Sequence, residues 1–408
     1  MEELKTCPVE GVMEVDFNSE EFLQNYKGVY RQLHESGCPY AHSSDGDFYA
    51  LAAHKDIVEA CLKPQQWSSK YGPGLQYQPP ESPGVLVSVD PPEHTFEARL
   101  VGKAFSKAYF ESFIPGIRAF LNEQIDAVFD QGACDIHKQI SEPLPLWVIF
   151  KMFGKPIDPE GISNFRDGFV AGVGQMLRRQ APAVRTNESV HFLADHLQDT
   201  KRKLERGELQ PDDNLLTKFI TTELDGRRLT DEKILGFCSF LLTAGSGTTT
   251  IMLSNLLYRL LQSPEQFEKV KANRDLIPVA IEECLRVDAP VHGLFRTNNE
   301  ATQIGPLQLK PDTKVMMLWG AGSLDPTVFP NPEKFDLNRD MAEIRKHLAF
   351  GYGIHICRGA PLSRIEGQLF LEVLLDRLPN LRLNGEPTPE TRIPVLQGIR
   401  ALPVAWDV

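Results

Sequence analysis

Residues 350–368 of this chain read FGYGIHICRGAPLSRIEGQ, and this stretch decides the fold. Cys357 stands between a loop that holds Gly351 and Gly353 and a long run with the apolar spacing of a helix. A sulfur at the start of a helix faces backbone N–H groups and the positive end of the helix dipole, which stabilise a thiolate. Glycines at alternate positions let the backbone approach a flat partner closely. The stretch therefore predicts a thiolate held against such a partner.

Most free cysteines are small buried hydrophobes, and this is the alternative interpretation of Cys357. The neighbouring residues outweigh it, because Phe350, His355 and Gly359 complete the spacing of a closely packed loop. The other cysteines bring the total to an odd seven and are too scattered for a disulfide framework or a paired metal-binding motif: Cys7, Cys38, Cys61, Cys134, Cys238 and Cys284.

The overall composition is that of an ordinary soluble globular protein. Of 408 residues, 42% are hydrophobic and 24% are charged, which is enough apolar material for a large core. The formal net charge of −12 argues against a nucleic-acid-binding surface, because phosphate recognition requires a basic face. The acidic N-terminus does not read as a signal peptide, and no run of about 18 uninterrupted apolar residues occurs. We expect a cytoplasmic protein without a membrane span.

Helical periodicity dominates the chain, and strand-like segments are few and short. The predicted helices include 117–130, 231–262, 276–287 and 364–378, and the predicted strands are 47–53, 314–318 and 401–405. No linker or repeat is apparent, so we expect one domain over 1–408, mainly α with small β-sheets (α+β). About 20 residues at the N-terminus are expected to be loosely ordered. Two irregular stretches, 71–92 and 177–190, are either binding loops or surface connections.

The predicted helix 231–262 is long enough to cross the whole domain, at roughly 48 Å. It starts after Thr230, a favourable N-cap, and stops before Pro264. At its centre, residues 243–250 read TAGSGTTT, so small and hydroxyl residues interrupt an otherwise apolar helix. Small residues in a core helix leave room for a neighbouring group.

Taken together, these motifs resemble the cytochrome P-450 superfamily, the heme-thiolate monooxygenases. The family's heme-binding signature is matched throughout by Phe350, Gly351, Gly353, His355, Cys357 and Gly359. Residues 87–106 and 320–340 also resemble the family, so the likeness covers nearly the whole chain. It implies the cytochrome P-450 fold, with heme b (iron protoporphyrin IX) between the central helix and the cysteine-loop helix. The Cys357 thiolate would be the axial ligand of the iron.

The resemblance implies further cofactor contacts. Arg296 and His94 correspond to donors to the heme propionates. The family's second donor on the His94 helix usually follows four residues later, where this chain has Ala98, with Arg99 next to it. The implied cofactor contacts are Cys357, His94, Arg296, His355, Phe350, Gly351 and Arg99.

A structural pair is also implied. Glu283 and Arg286 stand three residues apart, on one face of a predicted helix, where a salt bridge is able to form. On spacing alone they are an ordinary surface pair. The resemblance identifies them with the family's structural Glu-x-x-Arg pair.

The central helix departs from the family pattern, Ala-Gly-x-acid-Thr-Thr, because Gly247 stands where the acid is usual. The resemblance gives Thr248 the role of a hydroxyl that bonds oxygen during its activation and holds a water that delivers protons. Without the acid, proton supply is left to Ser246, Thr249 or a chain of waters. The predicted catalytic residues are Thr248, Gly247 and Thr249.

The candidate pocket is mostly apolar, so we expect a small hydrophobic substrate, such as a terpenoid or an aromatic compound. The pocket residues implied by the resemblance are Phe240, Ala244, Leu294 and Val395, together with the 71–89 loop. Arg178 and Arg179 would admit a carboxylate if they faced the pocket, although surface exposure is the alternative.

Electrons need a separate donor, because no flavin or iron–sulfur motif is fused to the chain. The resemblance implies O2 as oxidant and a [2Fe–2S] ferredoxin with its NAD(P)H-dependent reductase as donor. Cations near the cysteine would dock that acidic partner, unless they are ordinary solvated side chains. They are Arg345, Lys346, Arg358 and Arg364.

Two alternatives belong to other classes. A nucleotide-binding protein is excluded, because GSGTTT lacks the lysine of a phosphate loop and lies within a helix. A peroxide-driven heme enzyme, or a heme-binding sensor, on the same fold stays open because Gly247 replaces the acid. Thr248 argues against the peroxide-driven enzyme, since peroxygenases in the family usually carry proline there.

Overall fold

The computed structural model describes residues 12–43, 47–76, 84–155 and 187–408, with side chains from residue 192 onward in the last range. Helices form most of it, which confirms the predicted fold class. They are α1 (Glu20–Glu35), α2 (His54–Cys61), α3 (Glu93–Ala104), α4 (Lys107–Glu111), α5 (Ile114–Asp126), α6 (Pro143–Met152), α7 (Asn187–Glu205), α8 (Leu215–Thr221), α9 (Asp231–Gln262), α10 (Pro264–Ala272), α11 (Ile277–Val287), α12 (Trp319–Gly322), α13 (Met341–Ile344) and α14 (Ala360–Arg377).

Short 3₁₀ turns and a π-helical turn join these helices. The 3₁₀ turns are Leu86–Ser88, Phe129–Gln131, Arg274–Leu276 and Gly353–His355, and the π turn is His137–Ser141. The strands are β1 (Met13–Glu14), β2 (Tyr40–Ser43), β3 (Phe48–Leu51), β4 (Trp67–Ser68), β5 (Ala133–Asp135), β6 (Leu294–Asn298), β7 (Thr302–Ile304), β8 (Leu307–Leu309), β9 (Lys314–Met317), β10 (Arg382–Leu383), β11 (Thr388–Pro389), β12 (Ile399–Ala401) and β13 (Pro403–Ala405).

The largest sheet joins strands that are far apart in the sequence. Its strands lie in the order β1-β2-β3-β9-β6-β4, and smaller sheets have the orders β10-β13-β5, β11-β12 and β7-β8. β3 and β9 are parallel, with Tyr49 opposite Val315. β9 and β6 are antiparallel, with Arg296 opposite that same Val315. The sheet therefore brings the N-terminal part of the chain to residues 294–317.

The long helix α9 crosses the core and packs against α6, α7, α11 and α14. It begins and ends where the sequence predicts, and the Thr230 hydroxyl caps it by accepting a hydrogen bond from the Lys233 N–H at 3.3 Å. By length and hydropathy alone α9 would be able to span a membrane. Its packing against helices on several sides is that of a core helix.

Other predicted segments shift at their ends. The predicted helices 117–130 and 364–378 begin earlier, at Ile114 and Ala360, because proline occupies the first helical turn in each. The predicted strand 401–405 is wrong as a single strand. Leu402 is fully buried and separates β12 from β13, which pair in different sheets.

The expected loose N-terminus is also partly wrong. Val12, Val15 and Phe17 are buried, and β1 pairs with β2. These apolar side chains anchor the chain before α1 begins. The irregular stretch 177–190 lies almost entirely outside the described residues, as does the middle of the stretch 71–92.

Candidate active site

The cysteine loop, residues 348–359, is shaped by two glycines with left-handed backbone. Gly351 has φ +69° and Gly353 has φ +72°, which other residues adopt at a cost. A Cβ on Gly353 would lie 2.4 Å from the carbonyl oxygen of Cys61. The Cys357 N–H donates to the carbonyl of Phe350 at 2.9 Å and closes the loop. Both glycines that the sequence singles out are therefore required by geometry.

The Cys357 side chain is accessible, although the surrounding protein is dense enough to desolvate its sulfur. Burial raises the pKa of this thiol, and the N–H groups of Gly359 and Ala360 oppose that rise, as do the charges of Arg364 and Arg358. The donors at the start of α14 are thus where the sequence predicts them. A bound cation would add to these groups in favouring a thiolate here.

His94 and His355 meet at one edge of this region. Their ring centroids are 4.3 Å apart, in an edge-to-face arrangement. His355 Nε2 is 3.0 Å from the Ser69 hydroxyl, and Asp90 accepts from the Ser69 N–H at 2.8 Å. Burial, followed by the charges of Arg296, His94 and Arg358, lowers the pKa of His355 to about 2. Burial also lowers the pKa of His94.

Arg296 is buried beside these rings. Its guanidinium is 3% exposed and donates to the carbonyl of Phe295 at 2.8 Å. Burial lowers the pKa of Arg296, and the opposing contributions come from Cys61 and Asp90. No carboxylate forms a salt bridge with Arg296 in the described part of the chain, and Asp90 acts on it only through its charge. A buried cation beside two neutral imidazoles suits an anionic ligand group.

Arg99 does not join this group. It lies on α3 with its side chain 55% exposed and forms an ion pair with Asp225 at 2.8 Å. Ala98 precedes it, and one residue further along a helix turns a side chain by about 100°. The prediction that Arg99 binds a cofactor therefore has no support from its placement.

Three hydroxyls at the centre of α9 bond back along the helix. Thr243, Ser246 and Thr248 each donate to the carbonyl four residues earlier, at 3.0, 2.7 and 2.8 Å. Ser246 and Thr249 are buried, whereas Thr248 keeps accessible surface. Because the Thr248 proton is given to the Ala244 carbonyl, its oxygen is left as an acceptor.

The two glycines at the centre of α9, Gly245 and Gly247, are not equivalent. A Cβ on Gly245 would lie 2.9 Å from Cδ1 of Ile149, so this glycine allows close packing of α6 against α9. That the small residues here also leave room for a bound group stays a prediction. Gly247 keeps accessible surface and provides no side chain next to Thr248.

A comparison of the whole sequence identifies the family. The profile described as Cytochrome P450 matches residues 25–396. The chain belongs to the cytochrome P450 family. A cyclomarin C epoxidase, CymV, from Salinispora arenicola is 33% identical over 362 residues, which cover 88% of this P450 and 90% of CymV. A steroid C26-monooxygenase from Mycolicibacterium smegmatis is 29% identical over 361 residues, covering 88% and 87% of the two chains.

Known structures confirm the P450 fold. Cytochrome P450 CYP109Q5 from Chondromyces apiculatus superposes with a TM-score of 0.84 at 28% identity, over 97% of this chain and 98% of that one. With relatives named as an epoxidase and a monooxygenase, this P450 is a monooxygenase. The family implies heme with a cysteine thiolate ligand, and the residues present fit it. Donors face the sulfur, and a buried cation with two imidazoles lies at an edge.

The Glu-x-x-Arg pair of this P450 is part of a larger buried network. Glu283 and Arg286 are fully buried and share two bonds of 2.8 Å. Arg286 also donates to the carbonyls of Pro332 and Lys334, at 2.6 and 3.0 Å. Glu283 accepts from Arg339 at 3.0 Å, a third partner that sequence spacing did not reveal. The network ties α11 to the segment that precedes the cysteine loop.

A second carboxylate supports the cysteine loop. Glu282 accepts from Arg364 and, at 3.0 Å, from His347, and these partners lower its pKa to about 2 despite burial. The Arg364 guanidinium stacks 4.6 Å from the Phe350 ring centre. Sequence reasoning missed Glu282 because it stands beside Glu283 and resembles a surface residue.

Glu366 is a further acid that the sequence did not reveal. It lies on α14, which packs against α9, and its side chain is 3% exposed. Burial raises its pKa to about 8, and its Oε2 has no hydrogen-bond partner among the described residues. The signal in the sequence that could have identified Glu366 was a glutamate at an apolar position of the predicted helix 364–378.

Proposed function

We propose that this P450 hydroxylates, or otherwise oxidises, a small hydrophobic organic compound with O2. Electrons come from a separate [2Fe–2S] ferredoxin and its NAD(P)H-dependent reductase in the cytoplasm. An apolar cluster beside the centre of α9 is the observation that supports this class of substrate. The names of the steroid C26-monooxygenase and of CymV agree with organic substrates but do not define this one.

The apolar cluster joins predicted pocket residues from separate parts of the chain. Val395, Leu75 and Phe295 share it with Ile251, which lies on α9 three residues after Thr248, and Leu294 packs against it. Phe240 packs on the neighbouring core cluster, and Ala244 keeps accessible surface on α9. A wall of such side chains favours an apolar ligand. Arg178 and Arg179, the basis of the carboxylate alternative, lie outside the described residues.

The cofactor in this proposal is heme b, with Cys357 as the axial ligand. Bound heme supplies the oxygen chemistry, and a thiolate ligand favours O–O cleavage. Arg296, His94 and His355 would hold the propionate groups, where a carboxylate would offset the buried positive charge. Phe350 and Gly351 set the loop that carries the cysteine.

Thr248 is the proposed group for proton handling. Its hydroxyl donates to the Ala244 carbonyl, so its oxygen is available to accept from a water and to hold that water in place. Gly247 adds no acid, and Ser246 and Thr249 are buried neighbours able to extend such a chain of hydrogen bonds. The proposal therefore assigns water positioning to Thr248 and leaves no side-chain acid next to it.

The ferredoxin would dock near the cysteine loop. Arg345, Lys346 and Arg358 are exposed, and the apolar Tyr352 and Ile356 beside them are 40% and 46% exposed. Arg364 is partly withdrawn because it pairs with Glu282. Lys346→Glu should slow electron transfer at low salt, whereas Arg206→Glu, at the end of α7, should not. Equal rates in both variants would contradict this docking surface.

Spectral titration of the ferric protein tests the substrate class. A library of terpenoids, aromatics and matched carboxylic acids should give loss of the iron-bound water only with the uncharged members. A response to the acids alone would overturn the apolar pocket.

The second candidate is a peroxide-driven enzyme on the same fold, favoured by Gly247. Product formed with NAD(P)H, ferredoxin and reductase, and much less with hydrogen peroxide alone, is the expected result. Product with peroxide alone, and none with the redox chain, would reverse the choice.

A further inference from the structure

Lys314 is a buried lysine that holds a separate backbone segment. Its side chain on β9 is 3% exposed. The Nζ atom lies 3.0, 3.3 and 3.1 Å from the carbonyl oxygens of Tyr71, Gly72 and Gly74. An ammonium group has three N–H donors, and three carbonyls lie within reach of them. Bonds from a charged donor are stronger than those between neutral groups.

The segment it holds, residues 69–75, continues the edge of the large sheet. β4 pairs with β6, with Ser68 opposite Thr297, and Thr297 lies opposite Lys314 in the next strand. Further along, the Phe295 N–H donates to the Pro73 carbonyl at 3.0 Å. Lys314 therefore reaches from β9 past β6 to the segment on its far side.

This segment touches both halves of the site. At its start, the Ser69 hydroxyl contacts His355 at the proposed propionate edge. At its end, Leu75 is 2% exposed and belongs to the apolar cluster of Val395 and Ile251. Lys314 is in neither group, yet it binds the backbone between them.

A second lysine holds the chain beyond Leu75. Lys233 on α9 donates to the Gly84 carbonyl at 2.7 Å and to Glu97 at 2.6 Å, while Glu97 also accepts from the Leu86 N–H. This lysine has a carboxylate partner and fixes residues 84–86. Lys233 therefore provides a matched control, because it also donates to a backbone carbonyl but holds a different segment.

We propose that Lys314 is a positioning residue for substrate binding, because its ammonium group fixes the backbone of residues 71–74 and so sets Leu75 in the pocket wall. The inference rests on the proposed function, since that function makes the cluster around Leu75 a substrate pocket. In this proposal Lys314 acts through the backbone that it holds and not through contact with the substrate. Removing its donors should change ligand affinity more than turnover.

The first test is amide hydrogen exchange of the holoprotein. Two amides report on the segment, namely Gly72, which donates to the Ser69 carbonyl, and Phe295, which donates to Pro73. In Lys314→Met both should exchange at least about tenfold faster. In Lys233→Met they should keep the parent rates, with faster exchange near Leu86 instead. Parent-like exchange at Gly72 and Phe295 in folded Lys314→Met would overturn the proposal.

The second test separates positioning from general stability. An apolar compound that titrates the parent should bind Lys314→Met about tenfold more weakly. KM should rise while kcat stays within about twofold and the ferrous–CO band is unchanged. Unchanged affinity, or a fall in kcat as large as the rise in KM, would contradict a positioning role. If no compound titrates the parent, the proposed function fails, whereas the exchange experiment still decides whether Lys314 holds the segment.

Chemical rescue adds a sharper control. Lys314→Ala removes the chain beyond Cβ, and propylammonium matches the missing atoms and donors. It should restore the protection of Gly72 and the ligand affinity, whereas tetramethylammonium, which has no N–H, should not. Equal effects of the two cations would count against specific hydrogen bonds. Lys314→Gln, with two donors and no charge, is expected to show smaller changes of the same kind if Lys314→Met does not fold.

Discussion

The cysteine loop and the centre of α9, which the proposed function places on the two sides of a heme, are specified in different ways. In the loop, Gly351 and Gly353 have left-handed backbone, and a side chain on Gly353 would collide with a carbonyl. In α9 the backbone is ordinary helix, and Thr243 and Thr248 make the same bond to the carbonyl four residues back. The loop is thus fixed by backbone geometry, whereas the centre of the helix is distinguished by its side chains. Substitutions in the loop should therefore have large effects on stability and activity, and substitutions in the helix should have smaller ones.

The largest expected effect is at the sulfur. Cys357→Ser should abolish the strongly red-shifted ferrous–CO band and monooxygenase activity, because an alcohol is a poor substitute for a thiolate ligand. Cys38→Ser, a partly buried cysteine on another part of the chain, should keep both. A retained band in Cys357→Ser would show that the loop does not need a thiolate at this position.

The network behind the loop should be the next most sensitive. Arg286→Ala leaves Glu283 buried with one charged partner fewer, and removing one member of a buried pair costs about 3–5 kcal/mol. Arg31→Ala breaks a two-bond pair with Glu333 whose side chains are 55% and 35% exposed, so about 0–1 kcal/mol is expected. Urea denaturation of both variants measures this difference, and equal losses would show that burial is not what matters.

Glu366 should give a pH-dependent effect on stability. Its pKa in the folded protein is raised to about 8, so the folded state binds the proton more tightly than the unfolded chain. The associated stability is present below pH of about 4 and is lost as the pH rises towards 8. Glu366→Gln should remove this loss, on the order of a few kcal/mol, so the variant gains on the parent between pH 5 and pH 8. Glu372→Gln, on the same helix and paired with Arg118, should show no such gain.

A matched pair of glycines tests the two regions directly. Gly353→Ala combines left-handed backbone with a contact of 2.4 Å to a carbonyl, so we expect a loss of about 1–3 kcal/mol or more and a disturbed CO band. Gly245→Ala meets only the flexible end of Ile149, and alanine favours a helix by about 1 kcal/mol. Thermal unfolding and CO spectra of both variants measure this. Similar losses would mean that α9 is as constrained as the loop.

The smallest expected effect is at the hydroxyls of α9. Thr248→Ala should divert reducing equivalents to peroxide and lower product per NAD(P)H by at least about tenfold, because the water acceptor is lost. Thr243→Ala removes the same type of helix bond five residues earlier and should leave coupling unchanged. Unchanged coupling in Thr248→Ala would refute its role.

The sequence pattern of a short stretch was sufficient where the structural partners of a residue lie nearby in the chain. The cysteine loop and the bounds of α9 follow from spacing, capping and glycine positions along a short stretch, whereas the Glu-x-x-Arg pair was identified only through the family resemblance. Arg99 shows the limit, because one residue of displacement along α3 turns its side chain to Asp225.

Residues whose partners lie far away in the sequence could not be found in this way. Lys314 contacts carbonyls about 240 residues earlier, and Glu282 meets Arg364 82 residues later. Each resembles an ordinary surface charge until the fold brings its partner close. The wrong prediction of a single strand over 401–405 has a similar cause. The run is apolar throughout, and only the pairing of β12 and β13 in different sheets divides it at Leu402.

The pairing of Tyr49 with Val315 has a consequence for synthesis on the ribosome. β3 leaves the exit tunnel long before β9, since the paired residues are 266 positions apart. At 5–20 residues per second the interval is roughly 13–53 s. During that time one side of β3 presents unpaired backbone groups, which favour contact with other nascent chains. Slower translation of residues 52–313 should therefore increase aggregation of this protein more than slower translation after Met317.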